Sequence, residues 1–147
     1  MKVAIASDHG GYEYKQKLIP FIRDLGHDVF DLGTADETSV DYPDYAFSLG
    51  ERVASGEFER GILICGTGIG MSISANKVKG IRCALCQETY SAVMSRGHND
   101  ANVLAVGGRT IGIEVAKEIV SVWLSTSFLG GRHQKRVDKI NAYDNNR

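Results

Sequence analysis

The segment best equipped for chemistry is a thiol followed by alternating glycines, Cys65-Gly66-Thr67-Gly68-Ile69-Gly70. The run Gly61-Ile62-Leu63-Ile64 before it reads as a buried parallel strand, and the glycines as the turn into a helix. At such a junction the first amide N–H groups lack intrahelical partners, and the helix dipole favours negative charge. A free cysteine titrates near pH 8.5, and helix N-termini lower that to roughly 3.5–7.5, so Cys65 is expected to ionise readily. Cys65 is then a candidate base, and the amides of Gly66, Gly68, Ile69 and Gly70 are candidate donors to a developing oxyanion. The Thr67 hydroxyl can carry a proton between neighbouring oxygens. Proton abstraction next to a carbonyl needs this pairing, because base and donors must face the same two carbons. Taken alone the thiol would be a small buried strand residue; the glycines and threonine beside it favour chemistry.

Other uses of a glycine loop fail on particular residues. A dinucleotide fingerprint needs G-x-G-x-x-G, usually after the first strand, whereas this loop follows the third and continues Gly70-Met71. A phosphate loop of the G-K-[ST] kind needs a lysine where Met71 stands. A C-x5-R phosphatase cradle needs arginine there too, and a methionine cannot grip a phosphoryl group bidentately.

The elements that must hold this loop alternate along the chain. Val3–Ser7, His27–Leu32, Gly61–Cys65, Ile81–Leu85 and Asn102–Val106 read as strands. Leu18, Phe21, Ile22 and Leu25 share a helical face that Pro20 is expected to interrupt. Gly33 to Pro43 reads as a polar loop, and Ala46, Leu49 and Val53 lie on a second helix. Thr89–Ser95 forms a short helix, and Val115, Ala116, Ile119, Val122 and Trp123 make the strongest stripe. The predicted fold is a three-layer α/β/α sandwich around a five-stranded parallel, Rossmann-like sheet, in a single domain over residues 1–147. Right-handed crossovers gather the C-terminal ends of the strands on one edge, where ligands bind in open α/β sheets.

Past those ends lie Asp8-His9-Gly10-Gly11, the Cys65 loop and Gly107-Gly108-Arg109. His98-Asn99-Asp100 precedes the last strand, so topology puts it on the opposite edge. It either wraps around or serves a neighbouring subunit. On residue type alone it could equally cap a helix or open a turn, and Asp8 could simply cap a helix. Arg132 and Arg136 are four apart and would share one helical face, able to fork onto a phosphate or merely to solvate a cationic tail. His27 and His133 look bland, the second on an exposed tail. Cys83 and Cys86 form a lone C-x-x-C without a second pair, which reads as small core residues rather than a zinc site.

Composition narrows the classes. The chain has 147 residues, 43% of them hydrophobic, enough for one core. A net charge of -1 supplies no basic field for nucleic acid or an anionic membrane. No apolar run approaches the roughly 18 residues of a membrane span. Three cysteines without framework spacing, and no signal-peptide pattern, suit a reducing cytoplasm.

Six ordered blocks make the chain resemble the type B ribose-5-phosphate isomerases, a family that also contains galactose-6-phosphate isomerase. They are Asp8-His9-Gly10-Gly11, Asp41-Tyr42-Pro43, Cys65 to Gly70, Ala75-Asn76-Lys77, His98 to Leu104 and Gly130 to Val137. The resemblance implies an aldose–ketose isomerase of the pentose phosphate pathway, without metal or cofactor, acting on a phosphosugar through a cis-enediolate. It implies Cys65 as base, Thr67 as proton relay, and His98 with Asp8 as the ring-opening pair. Asn99 would steady the enediolate, and Tyr42 would line the pocket. His9, Arg132 and Arg136 would bind phosphate, with Arg109 as helper. It further implies a homodimer or tetramer with shared active sites, the C-terminal helix (about 133–145) packing on a partner subunit. The rival readings are an isomerase of allose or galactose 6-phosphate and, more distantly, a non-catalytic phosphosugar-binding protein.

Overall fold

The computed structural model describes all 147 residues. Five parallel strands, β1 (Lys2–Ser7), β2 (Asp28–Asp31), β3 (Arg60–Cys65), β4 (Cys83–Leu85) and β5 (Val103–Gly107), form one sheet in the order β2-β1-β3-β5-β4. The helices are α1 (Tyr12–Asp24), α2 (Tyr42–Ala54), α3 (Ile69–Ala75), α4 (Thr89–Gly97), α5 (Ile113–Ser125) and α6 (Arg132–Asn145).

The period-two alternation of the strands divides the core. Val3, Ile5, Ile62, Ile64, Leu104 and Val106 pack with Leu18 and Ile22 of α1 and Ile119 and Trp123 of α5. Ala4, Ala6, Leu63, Cys65 and Ala105 face the other way, onto Leu49 and Val53 of α2 and Met71 of α3. Because β1, β3 and β5 are covered on both faces, their sequences are almost continuously apolar. Each fully buried Leu, Ile or Val is worth about 1.5–3 kcal/mol relative to exposure, so these strands hold their register firmly.

Pro20 does not interrupt α1, which runs through it. It sits on the exposed face, where a lost ladder hydrogen bond can be replaced by water. The second strand is shorter than expected, Asp28–Asp31, and so is the fourth, because Ile81 turns into the core beneath Gly50 instead of joining the ladder. The polar loop ends two residues sooner, at Asp41, with Tyr42 opening α2 and Pro43 in its first turn.

The C-terminal helix stands apart from the layers. Only His133 and Val137 of α6 are buried. Its far end is tied by polar contacts: the Gly80 N–H donates to Asp144 Oδ2 at 2.6 Å, and Arg147 donates to the Asn76 carbonyl at 3.1 Å. Ile140 and Tyr143 remain exposed. No helix is long and apolar enough to cross a membrane.

Candidate active site

The thiol loop occupies the C-terminal edge of the sheet. Cys65 is the last residue of β3, and its side chain is 5% exposed. The Gly68 N–H donates to Cys65 Sγ at 3.1 Å, so the loop folds its own amide back onto the sulfur. Gly68 has φ +78°, and an added Cβ would lie 2.9 Å from the Val106 carbonyl carbon. Only glycine meets both demands without cost. The Ile69 N–H donates to Thr67 Oγ1 at 3.2 Å, while the amides of Gly66, Thr67 and Gly70 donate to no other group of the chain. With α3 only seven residues long, these unspent loop amides matter more than the helix dipole.

Asp8, Tyr42, Cys65, Thr67, Ile69 and Ile73 line a cleft of about 400 Å³ with Gly66 and Gly70. Tyr42 lies against Gly70, where a Cβ would come within 2.6 Å of the ring. The Asp8 carboxylate accepts the Gly11 N–H at 3.1 Å, closing the turn before α1 rather than capping the helix, whose N-cap is Gly11, and lines the cleft as well. His9 Nδ1 accepts the Val40 N–H at 3.2 Å, which leaves Nε2 to carry the ring proton. Beside this cleft, His9 and Arg109 share a second hollow with Gly10 and Gly108. The Arg109 guanidinium lies 3.4 Å from where Cβ atoms on Gly10 and Gly66 would stand.

His98 and Asn99 are elsewhere. They follow α4 and precede β5, at the N-terminal edge of the sheet. There they line a cavity of about 410 Å³ with Arg132, His133, Arg136 and Val137. The two arginines thus face one hollow, as their spacing foresaw. His133 is not on an exposed tail: it is buried and its ring stacks on His98, with centroids 4.0 Å apart and planes 13° from parallel. Burial, His98, Arg132 and Arg136 together hold the His133 pKa below its usual value. The signal in the sequence was its i,i+4 spacing with Val137, the other buried residue of α6.

The chain therefore carries two separate clusters of candidate site residues. The first holds Cys65, Thr67, Asp8, Tyr42, His9, Arg109 and the glycine amides, and the second holds His98, Asn99, Arg132 and Arg136. Exposed apolar side chains border both: Ile69 and Ile73 at the first, Ile140 near the second. No group of three or more His, Cys, Asp or Glu is arranged to hold a metal ion. Cys83 and Cys86 pack on opposite faces of the sheet. Burial raises both thiols, that of Cys86 to about 11.

Comparison with known proteins gives the family and the fold. A family model described as Ribose/Galactose Isomerase matches residues 3–140. A putative sugar phosphate isomerase of Bacillus subtilis (strain 168), YwlF, is 58% identical over 145 residues, 98% of this chain and 97% of its own. Ribose-5-phosphate isomerase B of Escherichia coli (strain K12) is 49% identical over 146 residues, 99% of this chain and 98% of its own. The solved structure of Clostridium thermocellum ribose-5-phosphate isomerase B superposes with a TM-score of 0.97 at 52% identity, covering 99% of each chain.

Proposed function

The chain belongs to the ribose/galactose isomerase family, and from that membership we propose that it interconverts ribose 5-phosphate and ribulose 5-phosphate in a site shared by two copies. The Cys65 thiolate removes the C2 proton of the open-chain aldose. Charge then develops on O1, where the unspent amides of the glycine loop receive it. Thr67 passes the O2 proton to O1, and the proton held by sulfur is delivered to C1, giving the ketose. Atoms balance without an external reductant or oxidant.

Before that step a furanose must open, which requires one group to take the anomeric hydroxyl proton and another to protonate the ring oxygen. His98 of a second copy fills this role beside Asp8, and Asn99 steadies the sugar hydroxyls. Arg132 and Arg136 of that copy grip the phosphate from one side, with His9 and Arg109 of the first copy on the other. The exposed Ile69, Ile73, Ile140 and Tyr143 give such an association an apolar border.

The observation that carries the reading is the Gly68 N–H to Cys65 Sγ hydrogen bond inside a cleft lined by unspent amides. The test is turnover of ribose, allose and galactose phosphates by the purified protein, with and without EDTA, alongside Cys65→Ala. Turnover of ribose 5-phosphate that survives EDTA and falls about 10²–10⁴-fold in Cys65→Ala, with ligand affinity kept, supports it. Preference for a six-carbon phosphosugar, or full activity without the thiol, refutes it.

A further inference from the structure

Arg82 lies outside both clusters, in the single step between Ile81 and β4, yet its guanidinium is spent almost entirely on one of them. Nε donates to the carbonyls of Asn99 and Asp100, each at 3.2 Å. Nη2 donates to the Asp100 carbonyl at 2.8 Å and approaches Asp100 Oδ2 at 3.4 Å. Nη1 reaches Asn141 Oδ1 on α6 at 3.0 Å. The turn it grips is strained, since Asp100 has φ +48°, a left-handed conformation uncommon for a non-glycine residue. Arg96 holds the turn from the other side, donating to Asp100 Oδ1 at 2.9 Å and the Ala101 carbonyl at 2.6 Å.

We infer that Arg82 is a positioning residue for the ring-opening half-site: it sets the backbone of the His98–Asn99 turn and ties it to the helix carrying Arg132 and Arg136. This role rests on the proposed isomerase reading. A turn forced into a left-handed bend relaxes unless surrounding groups over-determine it. Two guanidiniums on Asp100 and its neighbouring carbonyls do so. A lysine would not replace Arg82, because its single ammonium cannot span two successive carbonyls and Asn141 in one plane. The contact to Asn141 also gives the turn and the phosphate arginines a common reference.

The test is a mutant cycle in kcat on ribose 5-phosphate. Arg82→Ala and Arg82→Lys are made in the wild-type chain and in a background of His98→Asn with Asn99→Ala, with thermal melts to confirm folding. In the wild-type chain, kcat falls by between about ten- and a hundredfold, the cost of misplacing a group by roughly an ångström. In the double-substituted background the same changes alter kcat less than about twofold, because the turn side chains through which Arg82 acts on kcat are gone, while its tie to the phosphate arginines shows in KM. Equal losses in both backgrounds, as from general destabilisation, overturn the inference, and so does unchanged kcat in the wild-type chain. If wild-type protein itself does not turn over ribose 5-phosphate, the failure lies in the isomerase reading.

Discussion

His98 and Cys65 stand at opposite edges of one parallel sheet, His98 just ahead of β5 and Cys65 at the end of β3, each lining its own cavity. The sheet core between them is packed on both faces, so no local rearrangement brings the two together within one chain. Each cavity also lacks what the other has: one holds the thiol and the amides, the other the paired arginines.

The loop conformation itself can be tested at Gly68. Gly68→Ala places a Cβ in the left-handed region and against the Val106 backbone. The conformational cost alone is about 1–2 kcal/mol, before the clash. Denaturant unfolding should show at least that loss. Turnover should fall further than the lost stability explains, because the amide that meets Cys65 Sγ moves.

The arginine pair should act on binding. Arg132→Ala and Arg136→Ala are expected each to raise the KM for ribose 5-phosphate about tenfold or more, and to weaken inhibition by inorganic phosphate in parallel, with a smaller change in kcat. Equal KM values in the variants would return the pair to the solvated cationic helix.

Acid should loosen the fold through His133. Its folded pKa lies below its usual 6.5, so the unfolded chain binds more protons in this range. Stability from the neutral ring is present above about pH 6.5 and is lost as pH falls through that value toward the lower folded one. His27, also lowered, by burial and the N-terminal ammonium, acts with the same sign. The urea midpoint should therefore drop between about pH 7.5 and 5.5, and His133→Phe should flatten part of that slope, leaving the share due to His27.

The fold was legible where burial is two-sided. The ends of β1 and β3 fall within a residue of the apolar runs, because both faces of those strands enter the core. At the edge of the sheet the reading weakened: Ile81 is as apolar as a strand residue but serves the core under α2, outside the ladder. Pro20 misled because its cost depends on which face it occupies, and a sequence window does not weigh that. The thiol loop was legible because glycine spacing encodes backbone geometry directly, and the displacement of His98 followed from parallel topology. His133 and Arg82 were not, since a stacked ring and a guanidinium spent on distant carbonyls depend on contacts 35 and 17 or more residues away in the chain. Nothing local marks Arg82, and the i,i+4 spacing with Val137 marks only the burial of His133, not its stacking.

The proposal that two copies share each site is tested most directly by complementation. Cys65→Ala and His98→Asn chains, each nearly inactive, are unfolded together in equal amounts and refolded, and turnover of ribose 5-phosphate is measured. Random pairing makes half of the dimers mixed, and one of the two sites in each mixed dimer regains both the thiol and the imidazole. Activity should return to about one quarter of that of refolded wild type. No recovery above the separate variants, with mixed dimers demonstrated by distinct affinity tags, would contradict a site built from two copies.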